Sequence, residues 1–268
     1  MKINIISDLH CRLSRGEIID RLDEGKQIIC QDKDDGFFPF AAGISINQIK
    51  PGDVLVIAGD LGVWHTYKLM LSHIEDYAKS QGYSSVIFVL GNHDFYGALS
   101  SDLKAMPLGK VTRVDNVSFV CSTGWSPIYS NKFMVSKHLC DYRYIKGLTI
   151  NDINDISNNQ YRWIIENVKK ESSEGQDVVV VTHHLPLFCL VSEKYRSSCL
   201  NEAFAVMDPK LEDSILDLVY STQNLKVWAH GHSHDQYEKK IANCRFIRNP
   251  IGYAGENSVK NINKIIKL

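Results

Sequence analysis

The 268 residues show no marked excess of either charge: 30 Lys and Arg stand against 31 Asp and Glu, a formal charge of -1 with all ten histidines counted as neutral. A protein that held nucleic acid or an anionic membrane by bulk charge would need a basic surplus, because neutralising phosphate supplies most of that affinity. Any phosphate chemistry must therefore be local. Long apolar runs are also missing. The run Ile3–Ile6 is followed at once by Asp8, too short for a signal peptide or a span, and no later segment approaches the roughly 18 apolar residues a membrane helix needs. No membrane association is expected, and a cytoplasmic location is. The seven cysteines (Cys11, Cys30, Cys121, Cys140, Cys189, Cys199, Cys244) are odd in number and contain no C-x-x-C pair. That excludes a disulfide framework and a thiolate zinc site and suits reduced thiols. No G-x-S-x-G supports a serine hydrolase, and Cys189 and Arg196 are spaced too widely for a thiol-phosphatase loop.

A chain of this length can bury roughly three quarters of its unfolded surface without staples. Short β-branched runs recur at Ile3–Ile6, Val54–Ala58, Val86–Leu90, Val117–Cys121, Val178–Thr182, Val227–Ala229 and Arg245–Ile247, which suits buried strands. Helical patterns lie between them. Trp64, Tyr67, Leu71, Ile74 and Ala78 share one face, and Gly82 marks the stop. A second helix is expected after Ser157, with Gln160 completing a capping box, and a third after Asp208 with Pro209 in its first turn. Strands alternating with helices predict a layered α/β protein. No repeat or linker divides the chain, so one domain over 1–268 is expected, with insertions at about 11–50 and 126–150 that suit binding loops.

The residues that terminate the apolar runs carry the chemistry. The first ends in Ser7-Asp8-Leu9-His10, the second in Gly59-Asp60 and the third in Gly91-Asn92-His93-Asp94. The run at 178–182 ends in His183-His184, and the one at 227–229 leads to Gly231-His232-Ser233-His234. In layered α/β folds, carboxyl ends of strands share one face, where ligand crevices form. Seven of the ten histidines lie in or beside these motifs. A set of Asp, Asn and His donors suits two divalent ions such as Mn, Fe or Zn, with Ni also compatible. His184 and His230 read as packing histidines beside them.

The ordered series D-x-H, G-D, G-N-H-D, a late His and G-H-x-H resembles the calcineurin-like metallophosphoesterases over residues 8–234. Asn201-Glu202-Ala203-Phe204 and Asn249-Pro250-Ile251-Gly252-Tyr253 resemble a bacterial and phage subgroup of that family. The resemblance implies a four-layer α/β/β/α sandwich with a dinuclear metal site at the strand ends. It implies that Asp8, His10 and His234 hold one metal, that Asn92, His183 and His232 hold the other, and that Asp60 bridges them. It further implies hydrolysis by in-line attack of a metal-bridging hydroxide. His93 would protonate the leaving oxygen, with Asp94 orienting its ring.

Departures from the family narrow the expectation. The chain reads Gly59-Asp60-Leu61-Gly62-Val63-Trp64-His65, without the arginine that pins a phosphomonoester in the serine/threonine phosphatases of this superfamily. Val63 stands where a purple acid phosphatase has its iron-binding tyrosine. A phosphodiesterase acting on a small phosphoester, with Mn as the preferred metal, is the expectation. A phosphomonoesterase or nuclease would share the chemistry, though a nuclease should show a basic groove. A metal-free scaffold of the same fold is the reading of a different class. Lys137, Arg143 and Arg196 are candidate phosphate contacts or solvated charges, and nothing in the sequence sets the oligomeric state.

Overall fold

The computed structural model describes residues 1–11, 48–253, 256 and 262–268. Most of the expected insertion at 11–50 lies outside the described residues.

All seven expected strands form, at Lys2–Ile6 (β1), Val54–Ala58 (β2), Ser85–Val89 (β3), Val117–Cys121 (β5), Asp177–Val181 (β6), Leu225–His230 (β7) and Cys244–Arg248 (β9). Three further strands, Lys110–Val114 (β4), Tyr237–Ile241 (β8) and Lys264–Lys267 (β10), have no apolar run to announce them. Each lies at a sheet edge, and the fourth edge is the apolar β3. One sheet has the order β10-β1-β2-β3 and the other β4-β5-β6-β7-β9-β8. Edge strands are half solvated and carry charge that discourages further pairing, so KVTRV, YEKKI and KIIK read as polar.

Central strands are apolar on both faces because both faces are covered. Ile3, Ile5, Val54, Val56, Val179, Val181 and Ala229 fill the space between the two sheets. On the outer face of the first sheet, Leu55 and Ile57 meet Met70, Ile74 and Ala78 of helix α1 (Tyr67–Ser80). The outer face of the second sheet packs under Tyr161, Ile164 and Val168 of α5 (Ile150–Ser173) and Ile215, Leu218 and Val219 of α6 (Pro209–Ser221). The architecture is the four-layer α/β/β/α sandwich. Within it, β1, β2 and β3 run parallel, as do β5, β6, β7 and β9. Their carboxyl ends therefore gather along one edge.

Helix α6 starts as expected, with the Asp208 side chain accepting from the Leu211 N–H and Pro209 in the first turn. Helix α5 does not. It begins two turns earlier, where Thr149 and Asp152 form the capping box, so Ser157 and Gln160 lie inside the helix. Gln160 instead accepts the Trp125 N–H at 3.0 Å. The apolar stripe outweighed a competing cap signal, since burial of a long amphipathic face stabilises a helix more than one cap does.

The insertion at 126–150 is ordered. It folds into two short helices, α3 (Lys132–His138) and α4 (Asp141–Tyr144), next to the short α2 (Ser100–Ala105). Its residues Val135, Leu139, Ile145 and Leu148 join Phe95, Leu103 and Trp125 in a separate apolar cluster. This cap sits beside the strand ends.

Helix α6 offers a direct test of the layering. Ile215→Ala, a fully buried position, should cost about 2–5 kcal/mol in urea unfolding. Tyr220→Ala, at an exposed position of the same helix, should stay within about 0.5 kcal/mol.

Candidate metal centre

Strands β1, β2 and β7 deliver their side chains by abrupt turns. Among the described residues six non-glycine residues have positive φ, and four of them are Asp8 (54°), His10 (45°), Asp60 (56°) and His232 (69°). Such backbone is sterically costly for residues with a Cβ and collects at functional sites. Gly59 (φ 88°) has a second reason to be glycine. A Cβ there would run into the His183 ring, and one at Gly91 would run into the Asp60 carboxylate.

These turns bring together all nine residues singled out in the sequence. Asp60 lies at the centre, 1% exposed. Its Oδ1 accepts the His93 N–H at 2.9 Å and faces His183 Nε2 at 3.4 Å. Its Oδ2 faces His10 Nε2 at 3.8 Å and His93 Nε2 at 3.9 Å. On one side, Asp8, His10 and His234 present ligand atoms within 4.8 Å of one another. On the other, Asp60, His183 and His232 do the same, and Asn92 Oδ1 lies 3.0 Å from His183 Nε2.

The hydrogen bonds behind these groups set which atom faces inward. His183 Nδ1 lies 2.9 Å from the Ala58 carbonyl, which can only accept, so Nδ1 carries the proton and Nε2 is turned to the site. His234 Nδ1 donates to Glu256 Oε2 at 2.6 Å, which leaves its Nε2 facing Asp8 at 3.5 Å and His10 Nε2 at 3.0 Å. Once His183 Nε2 gives up its proton, Asn92, Asp60 and His183 aim acceptors at one another. Carboxylate oxygen, amide oxygen and imidazole nitrogen form a donor set that fits divalent first-row cations. Such an ion would relieve the mutual repulsion of these lone pairs.

Electrostatics point the same way. Burial alone would lower the His183 pKa, but the Asp60 carboxylate pushes it up to about 9. Burial likewise opposes charge on His234, yet its hydrogen bond to Asp8 raises it to about 9. Asp60 is held well below the usual carboxylate range, chiefly by His183, against the effect of burial. Burial lowers His10 to about 4 and also holds His232 well below the usual imidazole range. With cations absent, protons on His183 and His234 balance the buried carboxylates.

Asp94 behaves differently from expectation. Its carboxylate accepts backbone N–H groups of Asp60 (3.0 Å), Gly62 (2.7 Å) and Gly91 (2.8 Å), not the His93 ring. The geometry ties the turn after β2 to the turn after β3 and so places Asp60. The His93 ring stands at the cleft mouth instead, packed between His10 (4.6 Å) and Tyr96 (4.3 Å).

Other residues at the site stand outside the five donor motifs. Tyr253 stacks on His10 at 4.4 Å and Phe204 on His232 at 4.4 Å, which gives the two tail segments a location beside the ligand candidates. Glu256 and Asp141 hydrogen-bond His234 and Asn92, and His138 lines the cleft from α3. None of these shares a spacing with the five motifs, and only folding brings them near. His184 packs between Trp125 (4.7 Å) and His232 (4.3 Å), as a packing histidine. Lys137, Arg143 and Arg196 are exposed and outside the cleft lining.

The sequence model of the calcineurin-like phosphoesterases matches residues 1–236. The chain belongs to that family. Among solved structures, it is similar to the phosphopantetheinyl hydrolase of Mycobacterium tuberculosis, with TM-score 0.59 and 12% identity over 99% of this chain and 95% of that one. It is also similar to a dimetal phosphatase from Danio rerio, with TM-score 0.49 and 14% identity over 92% and 86% of the two chains. At such identities the likeness is one of fold. No curated protein matches the sequence. Family membership and the clustered donors together support a metal-dependent phosphoester hydrolase with a dinuclear divalent site.

Metal loading should release protons, because His183 and His234 are charged near neutral pH until a cation displaces their protons. Calorimetric titration with Mn²⁺ at pH 7.5, repeated in buffers of different ionisation enthalpy, should show heats that depend on the buffer. Buffer-independent heats would contradict the assignment.

Proposed function

We propose that this calcineurin-like phosphoesterase is a phosphodiesterase acting on a small, uncharged-armed diester. Asp8, His10 and His234 take one divalent cation, Asn92, His183 and His232 the other, and Asp60 lies between them. The observation that supports the diester is the cleft lining. A cavity of about 450 Å³ opens over Asp60, Asn92, His93 and His232, and among the described residues no Lys or Arg lines it. A phosphomonoester dianion gains from a cationic side chain on its free oxygens. A diester carries one charge less and two organic arms, which suit apolar walls such as Leu139, Leu185, Val191 and Phe204.

Bound cations there would supply Lewis-acid charge for the phosphoryl oxygens and lower the pKa of an attacking water. The chain's own groups do the rest. The fixed donors set where the cations would sit and so how the ester could lie with its scissile bond in line, and His93, 27% exposed and 3.9 Å from Asp60, protonates the leaving oxygen. Hard oxygens mixed with imidazoles suit Mn²⁺. The lack of Lys and Arg among the described residues of the cleft disfavours a nuclease, and seven converging donors disfavour a metal-free scaffold. All six described cysteines are free thiols, in keeping with a reducing cytoplasm, and among the described residues no helix is long and apolar enough to cross a membrane.

With Mn²⁺ supplied, bis-p-nitrophenyl phosphate should be hydrolysed with at least about tenfold higher kcat/KM than p-nitrophenyl phosphate. A preference for the monoester would overturn the diesterase reading. His93→Ala should keep both metals and lose about 10²–10⁴-fold in kcat, read by metal analysis beside turnover. Full turnover would remove His93 from the reaction.

A further inference from the structure

An asparagine ligand has a problem that a carboxylate does not: its amide has a wrong end. If the Asn92 amide turned over, it would aim an NH₂ group at His183 and at any cation, so the useful orientation must be held from behind. Asn92 Nδ2 donates to Asp141 Oδ1 at 2.8 Å and lies 3.3 Å from the Tyr96 hydroxyl. The Tyr96 hydroxyl in turn donates to the same Asp141 oxygen at 2.8 Å. A carboxylate can only accept, so Asp141 admits the amide one way round. With Nδ2 committed there, Oδ1 faces His183 Nε2 at 3.0 Å.

Asp141 comes from the 126–150 segment, 49 residues away in sequence from Asn92. It is 4% exposed, and no described Lys or Arg forms an ion pair with it. An unpaired buried carboxylate is costly. The segment is nevertheless fastened so that Asp141 stays in place: Gly97 donates its N–H to the Tyr144 carbonyl (2.8 Å), Ser100 donates to Lys146 (2.9 Å), and Lys146 donates to Ala98 (3.0 Å). Leu139 and Ile145, on either side of α4, are buried in the cap's apolar cluster.

We propose that Asp141, with Tyr96, is a positioning residue that locks the Asn92 amide for metal binding, so that the folded 126–150 segment is required for the cation site formed by Asn92, His183 and His232. The inference rests on Asn92 being a ligand, as proposed above.

The test is Mn²⁺ binding to the full-length chain by calorimetry and metal analysis, for the parent, Asp141→Ala, Asn92→Asp and the Asn92→Asp/Asp141→Ala double variant. The parent should bind two ions, and Asp141→Ala should weaken one of them by about 10–100-fold and leave the other unchanged. The double variant should recover the lost ion, because a carboxylate at position 92 has two equivalent oxygens and needs no orienting partner. Asn92→Asp alone should bind poorly, since it sets two carboxylates against each other. Undiminished affinity in Asp141→Ala would overturn the proposal. So would a loss that Asn92→Asp fails to restore, which would mark Asp141 as merely structural. A parent that binds no pair of ions would instead overturn the metal reading itself, and this inference with it.

Discussion

Asp60 is a carboxylate taken wholly out of water and left charged, and the site is built around the cost of keeping it so. Burial opposes the charge, and the imidazoles of His183, His93 and His10 offset that opposition. Asp94, fully buried next to it, is pushed up to about 7 by burial and by the charge of Asp60, yet it holds three backbone N–H groups that fix the turn on which Asp60 sits. A cluster of this kind is not a stabilising feature of the fold. Groups that repel each other at close range persist where a ligand of opposite charge brings them into balance.

The sandwich supports that arrangement through its parallel strands. Both sheets are apolar on both faces, so the strands cannot slide or turn over without exposing one core or the other. Their ends are therefore rigid. From that rigid edge the chain leaves through residues of positive φ and through glycines whose missing Cβ makes room for His183 and for the Asp60 carboxylate. The strain is local, while the packing that sustains it is spread over two sheets and the helices outside them.

A second layer of contacts gives each donor its direction. Ala58 turns His183, Glu256 turns His234, and aromatic rings of Tyr253 and Phe204 lie flat against His10 and His232. The cap contributes through Asp141, and the segment around 201–204 joins it from the other side: Glu202 accepts backbone N–H groups of Ser130 and Asn131. The cleft is thus walled by parts of the chain that the strands do not specify.

Much of this was legible along the chain because it is periodic or adjacent. Apolar runs predict strands since a strand covered on both faces has no polar positions, and the donors stand within a few residues of where each run stops. The edge strands β4, β8 and β10 were not legible, because these half-solvated strands carry no such run, and the start of α5 was obscured by two cap signals on one helix. The sequence by itself determined that the five donor motifs converge, since strand direction carries each of them to the same edge. Only the tertiary structure decided which nitrogen of each imidazole faces in, that Asp94 holds backbone and not His93, and that Asp141 backs Asn92. Those choices depend mostly on hydrogen-bond partners tens of residues away or more, which no local spacing encodes.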